Sequence, residues 1–191
     1  MWKKKLLGGL VGVLFLLWLI QRFTSSSSSA PTVLGEGSSQ SKPTDKWQIS
    51  RGQSSMDDSK TVVLNLRADN DVQAWLEDKR PILNIRCKEG KTQVYLWTGT
   101  AATVEEIAGH TVRIRLDDGT PIGQTWGEST DHNSLFFDED AIVFVKQLVK
   151  AKTLAFQFTP FSASPAVACF DLRGLENHIG EVAATCGWSV D

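Results

Sequence analysis

The amino-acid sequence predicts a mainly β chain with some α-helix. We expect a single antiparallel, β-sandwich-like domain that ends in a C-terminal helix and is preceded by one transmembrane helix and a disordered Ser-rich tether. Two observations predict this fold class. From Trp47 onward, short β-prone runs alternate with clusters of turn residues. The length of 191 residues, with 41% apolar and 22% charged residues, is typical of one globular domain with appendages.

The composition also excludes some classes of function. A formal net charge of −2 lacks the concentrated Lys/Arg surface that nucleic-acid binding requires, so we expect no nucleic-acid partner. The same apolar and charged fractions exclude a wholly disordered chain and a multi-pass membrane protein.

Residues 1–23 are predicted to form a signal anchor. Three lysines at positions 3–5 precede an unbroken apolar run from Leu6 to Ile20. Fifteen residues at about 1.5 Å each are shorter than the ~30 Å hydrocarbon core, which favours a cleaved signal peptide. However, Trp2 and Phe23 lie outside this run and extend the apolar span, and small residues suited to cleavage occur only at Ser28–Ala30. We therefore predict a retained membrane helix with a cytoplasmic N-terminus, because lysines stay on the cytoplasmic side.

Residues 24–46 are predicted to be a flexible linker. They are nearly all Ser, Thr, Gly, Pro and charged residues without apolar periodicity, so they cannot bury enough surface to fold. As a random coil this segment reaches about 25 Å. Residues 47–191 would then form a β-rich domain held close to the membrane on its non-cytoplasmic side.

The ordered part shows seven or eight strand patterns, a spacing typical of a sandwich or of a closed sheet. Thr61–Ala68 places Val62, Leu64 and Leu66 on one face and Val63, Asn65 and Arg67 on the other, which predicts a half-buried strand. The other predicted strands are 81–87 and 92–99, joined as a hairpin, then 111–117 with a reversal at Asp118-Gly119 and a returning strand, and finally SLFF, TLAFQFTPF and AVACFDL.

Two helices interrupt the strands. Asp138 is a plausible N-cap for the first, whose apolar stripe consists of Ile142, Val145, Leu148 and Val149. Acidic residues 138–140 are explained by this cap, so no metal site and no cofactor are predicted. In the last helix, Leu175, Ile179, Val182 and Cys186 share one face, which points Cys186 into the core.

The three cysteines, Cys87, Cys169 and Cys186, all lie in the exported part, where a disulfide can form. The residues alone allow three pairings. Joining Cys87 to Cys186 would close a loop of about 100 residues and stabilise the domain by roughly 4 kcal/mol. Cys169 is expected to be a small buried hydrophobic residue if it remains free.

No catalytic signature is present, so we predict that the protein is not an enzyme. Asp131, His132 and Ser134 are the residue types of a hydrolase triad, but they lie too close in one loop to align. His110, His132 and His178 are scattered without the spacing of a zinc site.

The ordered part resembles the VasI family of type VI secretion-associated proteins. The resemblance is carried by KWQIS (46–50), MDDSKTVVLNL (56–66), ILNIRCKEGKTQVYLWTG (82–99), VRIRLDDG (112–119), QTWGEST (124–130) and FDLRGLENHIGEVAATCGW (170–188). It implies an exported, β-rich accessory domain with a bridge between Cys87 and Cys186.

Three functional hypotheses follow. The first is a non-catalytic accessory or binding module, anchored in the inner membrane and facing the periplasm, that serves an envelope-spanning secretion system and binds envelope proteins. The second is a prophage-derived or immunity-type envelope protein that blocks an incoming factor. The third is a hydrolase that depends on Ser134 or His132.

Because interfaces are rich in aromatic residues, Trp97 and Trp126 are predicted to contact a partner; the alternative is that they belong to the core. The oligomeric state is not predicted.

Overall fold

The computed structural model describes residues 45–103 and 109–191 of the chain. The predicted membrane anchor (1–23) and almost all of the predicted linker (24–46) lie outside these residues, so both stay predictions. Across the two described ranges, no helix is both long and apolar enough to cross a membrane.

Nine antiparallel strands and two helices make up the described part of the chain. The strands are β1 (Gln48–Gln53), β2 (Lys60–Arg67), β3 (Ile82–Lys88), β4 (Lys91–Trp97), β5 (His110–Leu116), β6 (Ile122–Glu128), β7 (Ser134–Phe137), β8 (Thr153–Phe158) and β9 (Ala166–Asp171). The helices are α1 (Ala141–Lys150), between β7 and β8, and α2 (Leu175–Cys186), which follows β9. The mainly β class and the C-terminal helix are confirmed.

All nine strands belong to one sheet, in the order β1-β2-β3-β4-β7-β6-β5-β8-β9, so the predicted sandwich of two sheets is wrong. The reason is the short strand β7. It pairs with β4 through Leu96↔Leu135 and with β6 through Trp126↔Phe137, and thereby joins two groups of strands that sequence spacing alone leaves separate.

The sheet curls until its two ends approach each other. The Asp69 amide, just after β2, donates to the Cys169 carbonyl in β9 at 2.7 Å. The Asn70 side chain makes two hydrogen bonds with β9: its amide nitrogen donates to the Val167 carbonyl at 2.9 Å, and its amide oxygen accepts from the Cys169 backbone N–H at 2.8 Å. The indole of Trp47 donates to the Leu172 carbonyl at 3.2 Å. These bonds satisfy backbone groups on the outer edge of β9 that an unpaired edge strand would leave free.

The core lies between the concave face of the sheet and the two helices. Side chains alternate across each strand, so every second residue faces inward. The buried residues that line the core include Val62, Leu64, Leu66, Leu83, Ile85, Val94, Leu96, Val112, Ile114, Trp126, Leu135, Leu154, Phe156, Phe158, Ala168 and Phe170 from the sheet, with Phe144, Val145, Leu148, Leu175, Ile179 and Val182 from the helices.

The helix boundaries correct one prediction and confirm another. Asp140, not Asp138, caps α1, since its carboxylate accepts from the amides of Ile142 and Val143 at 3.0 and 3.1 Å. The predicted face of α2 is confirmed, because its apolar residues are buried and Cys186 reaches the sheet. Helix α2 ends at Cys186 and is capped by Gly187, whose φ of 72° lies in the left-handed region that favours glycine.

Cys87 and Cys186 form a disulfide with a Cα–Cα distance of 5.7 Å, as the family resemblance implied. The bridge joins α2 to strand β3. Cys169 is exposed, so the expectation that it is a buried hydrophobic residue is wrong. It lies between Ala168 and Phe170, which face the core, and the alternation of the strand turns Cys169 outward.

Candidate interaction surface

The two tryptophans predicted to contact a partner lie in different environments. Trp126 has 0% of its surface exposed and packs against Phe156, with ring centroids 4.8 Å apart. It therefore cannot contribute to an exposed contact, and the core alternative is correct for this residue. Trp97 is half-buried on the convex face of the sheet, where its ring lies against Gly99. The structure does not bring Trp97 and Trp126 together on one surface.

A different set of residues forms an exposed apolar patch, which we call the Trp75 patch: Trp75, Leu76 and Phe161. Their exposed fractions are 65%, 84% and 51%. Trp75 and Leu76 lie in the loop between β2 and β3, and Phe161 lies in the loop between β8 and β9. The Trp75 and Phe161 rings meet edge to face, with centroids 6.3 Å apart and an interplanar angle of 80°.

Backbone hydrogen bonds hold the loops of the Trp75 patch in place. The Phe161 amide donates to the Ala101 carbonyl at 2.8 Å, and an isolated bridge joins Ala102 to Pro160. In the other loop, Val72 and Lys79 form a bridge, with N–O distances of 2.7 and 2.9 Å. The patch is therefore built on fixed backbone, which reduces the entropy lost when a partner binds.

The two loops enclose a cleft with a volume of about 210 Å³. Its lining includes Ala74, Trp75, Leu76, Phe161 and the segment 99–101. The ion pair between Glu77 and Lys79 stands beside it. A cleft of this size with an apolar wall and a charged rim can hold one apolar side chain of a partner.

Sequence reasoning missed the Trp75 patch, although a signal was present. Trp75 lies in DVQAWLEDKR, where acidic and basic residues surround two large apolar ones without a strand or helix period. Such a segment indicates a loop, and a loop places Trp at the surface. Phe161 could not be paired with Trp75 from sequence, since 86 positions separate them along the chain.

The convex face carries a second aromatic group. Tyr95 and Phe136 stack with centroids 4.8 Å apart, and the Arg86 guanidinium lies 5.0 Å from the Tyr95 ring centre. Arg86 also donates to the Gln93 side chain at 2.6 and 3.0 Å. Burial raises the pKa of the Tyr95 hydroxyl. These side chains contact one another and cover this part of the outer face of the sheet.

The residues of the hydrolase hypothesis do not form a nucleophile–base pair. The Ser134 hydroxyl donates to the Asn133 side chain at 2.9 Å, whereas His132 Nδ1 lies 2.7 Å from Glu128 Oε2. Glu128 also approaches His110, whose Nε2 is 3.5 Å away. His110 is buried and bonds to the Thr103 carbonyl at 2.9 Å. Sequence reasoning treated the histidines as scattered and missed that Glu128 lies between two of them.

A metal site is not indicated in the part of the chain that the structure describes. Within residues 45–103 and 109–191, no group of three or more His, Cys, Asp or Glu side chains could hold an ion. His178 lies instead against Asp45, at 2.6 Å, and joins the start of the described chain to α2.

The fold and the patch define a class of protein: an antiparallel β-domain stapled by a disulfide, with exposed aromatic residues on its loops. The chain belongs to the VasI family, whose model, described as type VI secretion system VasI, EvfG, matches residues 23–188. The predicted family is thereby confirmed, and the protein is type VI secretion-associated. A search of curated proteins found no match. Among solved structures, invasion associated protein B from Bartonella henselae is similar. The two chains are 16% identical, the match covers 73% of this chain and 93% of that chain, and the TM-score is 0.48.

Proposed function

We propose that this protein is a non-catalytic binding module of a type VI secretion assembly, anchored in the inner membrane by residues 1–23 and facing the periplasm. The observation that carries the binding role is the Trp75 patch. Leaving a Trp, a Leu and a Phe in water forgoes the stabilisation that burial of their apolar surface would provide. Exposed apolar residues grouped in this way mark a surface that another molecule covers.

The chemistry of the Trp75 patch favours a protein as the partner. Trp is among the residues that dominate the energy of protein interfaces, especially where polar residues surround it. The patch has this arrangement, because Glu77, Lys79 and Thr100 line the same cleft as the two rings. An envelope protein with a protruding apolar side chain fits this surface.

Two further observations support a periplasmic location. The Cys87–Cys186 bridge is typical of proteins in oxidising compartments such as the bacterial periplasm. The lysines at positions 3–5 before an apolar run favour export of everything that follows. An immunity-type envelope protein would use the same surface, and the identity of the bound partner distinguishes this alternative.

The binding role is tested by purifying the full-length chain, with a tag after Asp191, from cross-linked cells that contain the secretion assembly. We expect envelope proteins to co-purify and expect the double variant Trp75→Ala, Phe161→Ala to reduce their recovery about tenfold or more, as for loss of an interface hot spot. Met56→Ala is the matched control, since Met56 is 92% exposed on the loop at the other end of β2. Equal recovery from the patch variant and the control would contradict the proposal.

The anchoring is tested separately on the same tagged chain. The protein should stay in the membrane fraction after carbonate washing, and protease should remove the tag once the outer membrane is permeabilised. Recovery of a shortened chain that begins near Pro31 in the soluble periplasm would show that the N-terminal segment is cleaved.

A further inference from the structure

We infer that the convex face of the sheet carries a second binding site, a groove that recognises a carboxylate joined to an apolar group. The groove lies where β2 ends and β3 begins, beside the start of β1. Its volume of about 520 Å³ is within the range of small-ligand sites in proteins. The lining includes Lys46, Gln48, Asn65, Arg67, Arg80 and Ile82.

The charges around the groove are balanced except at Arg67. Three carboxylates near it each have a cationic partner: Lys46 bonds to Asp69 at 2.6 Å, Arg80 to Asp71 at 2.7 and 3.1 Å, and Arg173 to Asp171 at 2.6 and 2.7 Å. The side chain of Arg67 is exposed and makes no ion pair or hydrogen bond with any residue in the described ranges. The groove therefore offers one guanidinium that a ligand can bind.

The existing ion pairs keep their partners ionised at neutral pH. Hydrogen bonds from Arg80 hold the pKa of the Asp71 carboxyl below its usual value, and Arg173 does the same for Asp171. Each of these carboxylates is neutralised by its cationic partner, so Arg67 carries the charge that is left unbalanced at the groove. A single carboxylate therefore matches the charge of Arg67, whereas a ligand with two negative charges, such as phosphate, would leave one charge without a partner.

The register of the strands places an apolar surface beside Arg67. Arg67 lies opposite Ile82, and Ile82 lies opposite Trp97, so the three residues form one row across the convex face. Directly opposite residues have Cβ atoms about 5 Å apart. A carboxylate held by the planar guanidinium of Arg67 would thus place a neighbouring apolar group over Ile82, in the direction of Trp97.

This ligand chemistry has two sources: an acidic side chain next to an apolar one in a peptide, or a free organic acid. The groove and the Trp75 patch share no residue. Failure of one proposal therefore leaves the other intact.

The experiment is a calorimetric titration of the full-length chain with four probes: acetyl-Glu-Leu-amide, its neutral isostere acetyl-Gln-Leu-amide, hexanoate and inorganic phosphate. We expect the Glu peptide to bind about tenfold or more tightly than the Gln peptide, since a charge-assisted hydrogen bond is lost in the isostere. If hexanoate binds as tightly as the Glu peptide, the ligand is an organic acid; if hexanoate does not bind, the ligand is a peptide.

Variants decide whether Arg67 is responsible. Arg67→Gln should weaken binding of the Glu peptide about tenfold. The affinity of Arg67→Lys should lie between those of Arg67→Gln and the natural protein, because lysine keeps the charge and loses the planar guanidinium. Arg115→Gln is the matched control, an exposed arginine on the outward side of β5. Equal affinity of Arg67→Gln and Arg115→Gln, tighter binding of phosphate, or no binding of either carboxylate probe would overturn the inference.

Discussion

The interior of the curled sheet and the loops at its end contain the same residue types in opposite environments. Trp126 contacts three aromatic rings, those of Phe137, Phe144 and Phe156, and its indole donates to Gln124 at 3.0 Å. Trp75 contacts the ring of Phe161 and has 65% of its surface exposed. The difference shows that position relative to the faces of the sheet, not residue type, decides whether a tryptophan stabilises the fold or is free to bind.

The cysteines repeat this contrast. Cys186 lies on the inner face of α2 and is bonded to Cys87, which has no exposed surface. Cys169 lies on the outward side of β9, and its thiol is exposed. The buried disulfide links β3 to α2 across 99 positions of the chain, whereas the side chain of Cys169 forms no cross-link.

The largest effect is expected at the disulfide. Cys186→Ser removes a cross-link that closes a loop of about 100 residues, so the free energy of unfolding should fall by roughly 4–5 kcal/mol in the chain-entropy account. The exposed Cys169→Ala should change it by less than about 0.5 kcal/mol. Denaturant titration of both variants measures the two values.

Alkylation of the native protein provides a second measurement on the cysteines. Without reductant, Cys169 should be the residue that reacts with the reagent, since the other two are bonded to each other. A peptide map that finds Cys169 in a disulfide with Cys87 or Cys186 would contradict the contrast between a buried disulfide and an exposed free thiol.

A smaller loss of stability is expected from the tryptophans. Trp126→Ala leaves a cavity among three aromatic rings and should lower the free energy of unfolding by about 3–5 kcal/mol. Trp75→Ala removes an exposed side chain and should lower it by less than about 0.5 kcal/mol. Thermal unfolding of the two variants, side by side, gives the comparison. A large destabilisation by Trp75→Ala would show that Trp75 supports its loop rather than serving only as a contact.

Much of the fold could be predicted because the period-2 pattern is strong in the buried strands. Val62, Leu64 and Leu66 occupy every second position of β2, and the structure buries all three. Strand β1 was missed because QISRGQ has no such alternation, and the strand is almost wholly exposed on the edge of the sheet. Edge strands need to bury little, so their sequence carries little pattern.

The single sheet and the Trp75 patch depend on pairings that are distant along the chain. Strand β7 has four residues, and nothing in SLFF indicates that it pairs with β4 rather than with its neighbour alone. The choice between Asp138 and Asp140 as helix cap depends on where the backbone of α1 begins, and the acidic run DED allows either. In each case the deciding contact is tertiary, so local sequence could not supply it.

The smallest effect is expected at an exposed carboxylate, and it depends on pH. Asp117, in the turn after β5, accepts hydrogen bonds from the amides of Lys152 and Thr153 at 2.8 and 2.9 Å. These two bonds hold the pKa of Asp117 below its ordinary value. Because the folded-state pKa is lowered, the contribution to stability is present above the unfolded value of about 3.9 and is lost as pH falls through the folded value.

Asp117→Asn keeps an acceptor oxygen but removes the charge, so it should be less stable than the natural protein at neutral pH. The difference in free energy of unfolding should begin to shrink as the pH falls below about 4, the pKa of the unfolded chain, and should be lost once the pH falls below the lowered folded-state pKa. Asp118→Asn is the matched control, because the adjacent Asp118 is exposed and accepts no side-chain hydrogen bond from the described residues. Denaturant titrations at a series of pH values measure the difference. If the difference for Asp117→Asn stays constant from neutral to acidic pH, the prediction is wrong. The negative charge of Asp117 would then contribute nothing to the free energy of unfolding, and only its hydrogen-bonding oxygen atoms would hold the β5–β6 turn against the start of β8.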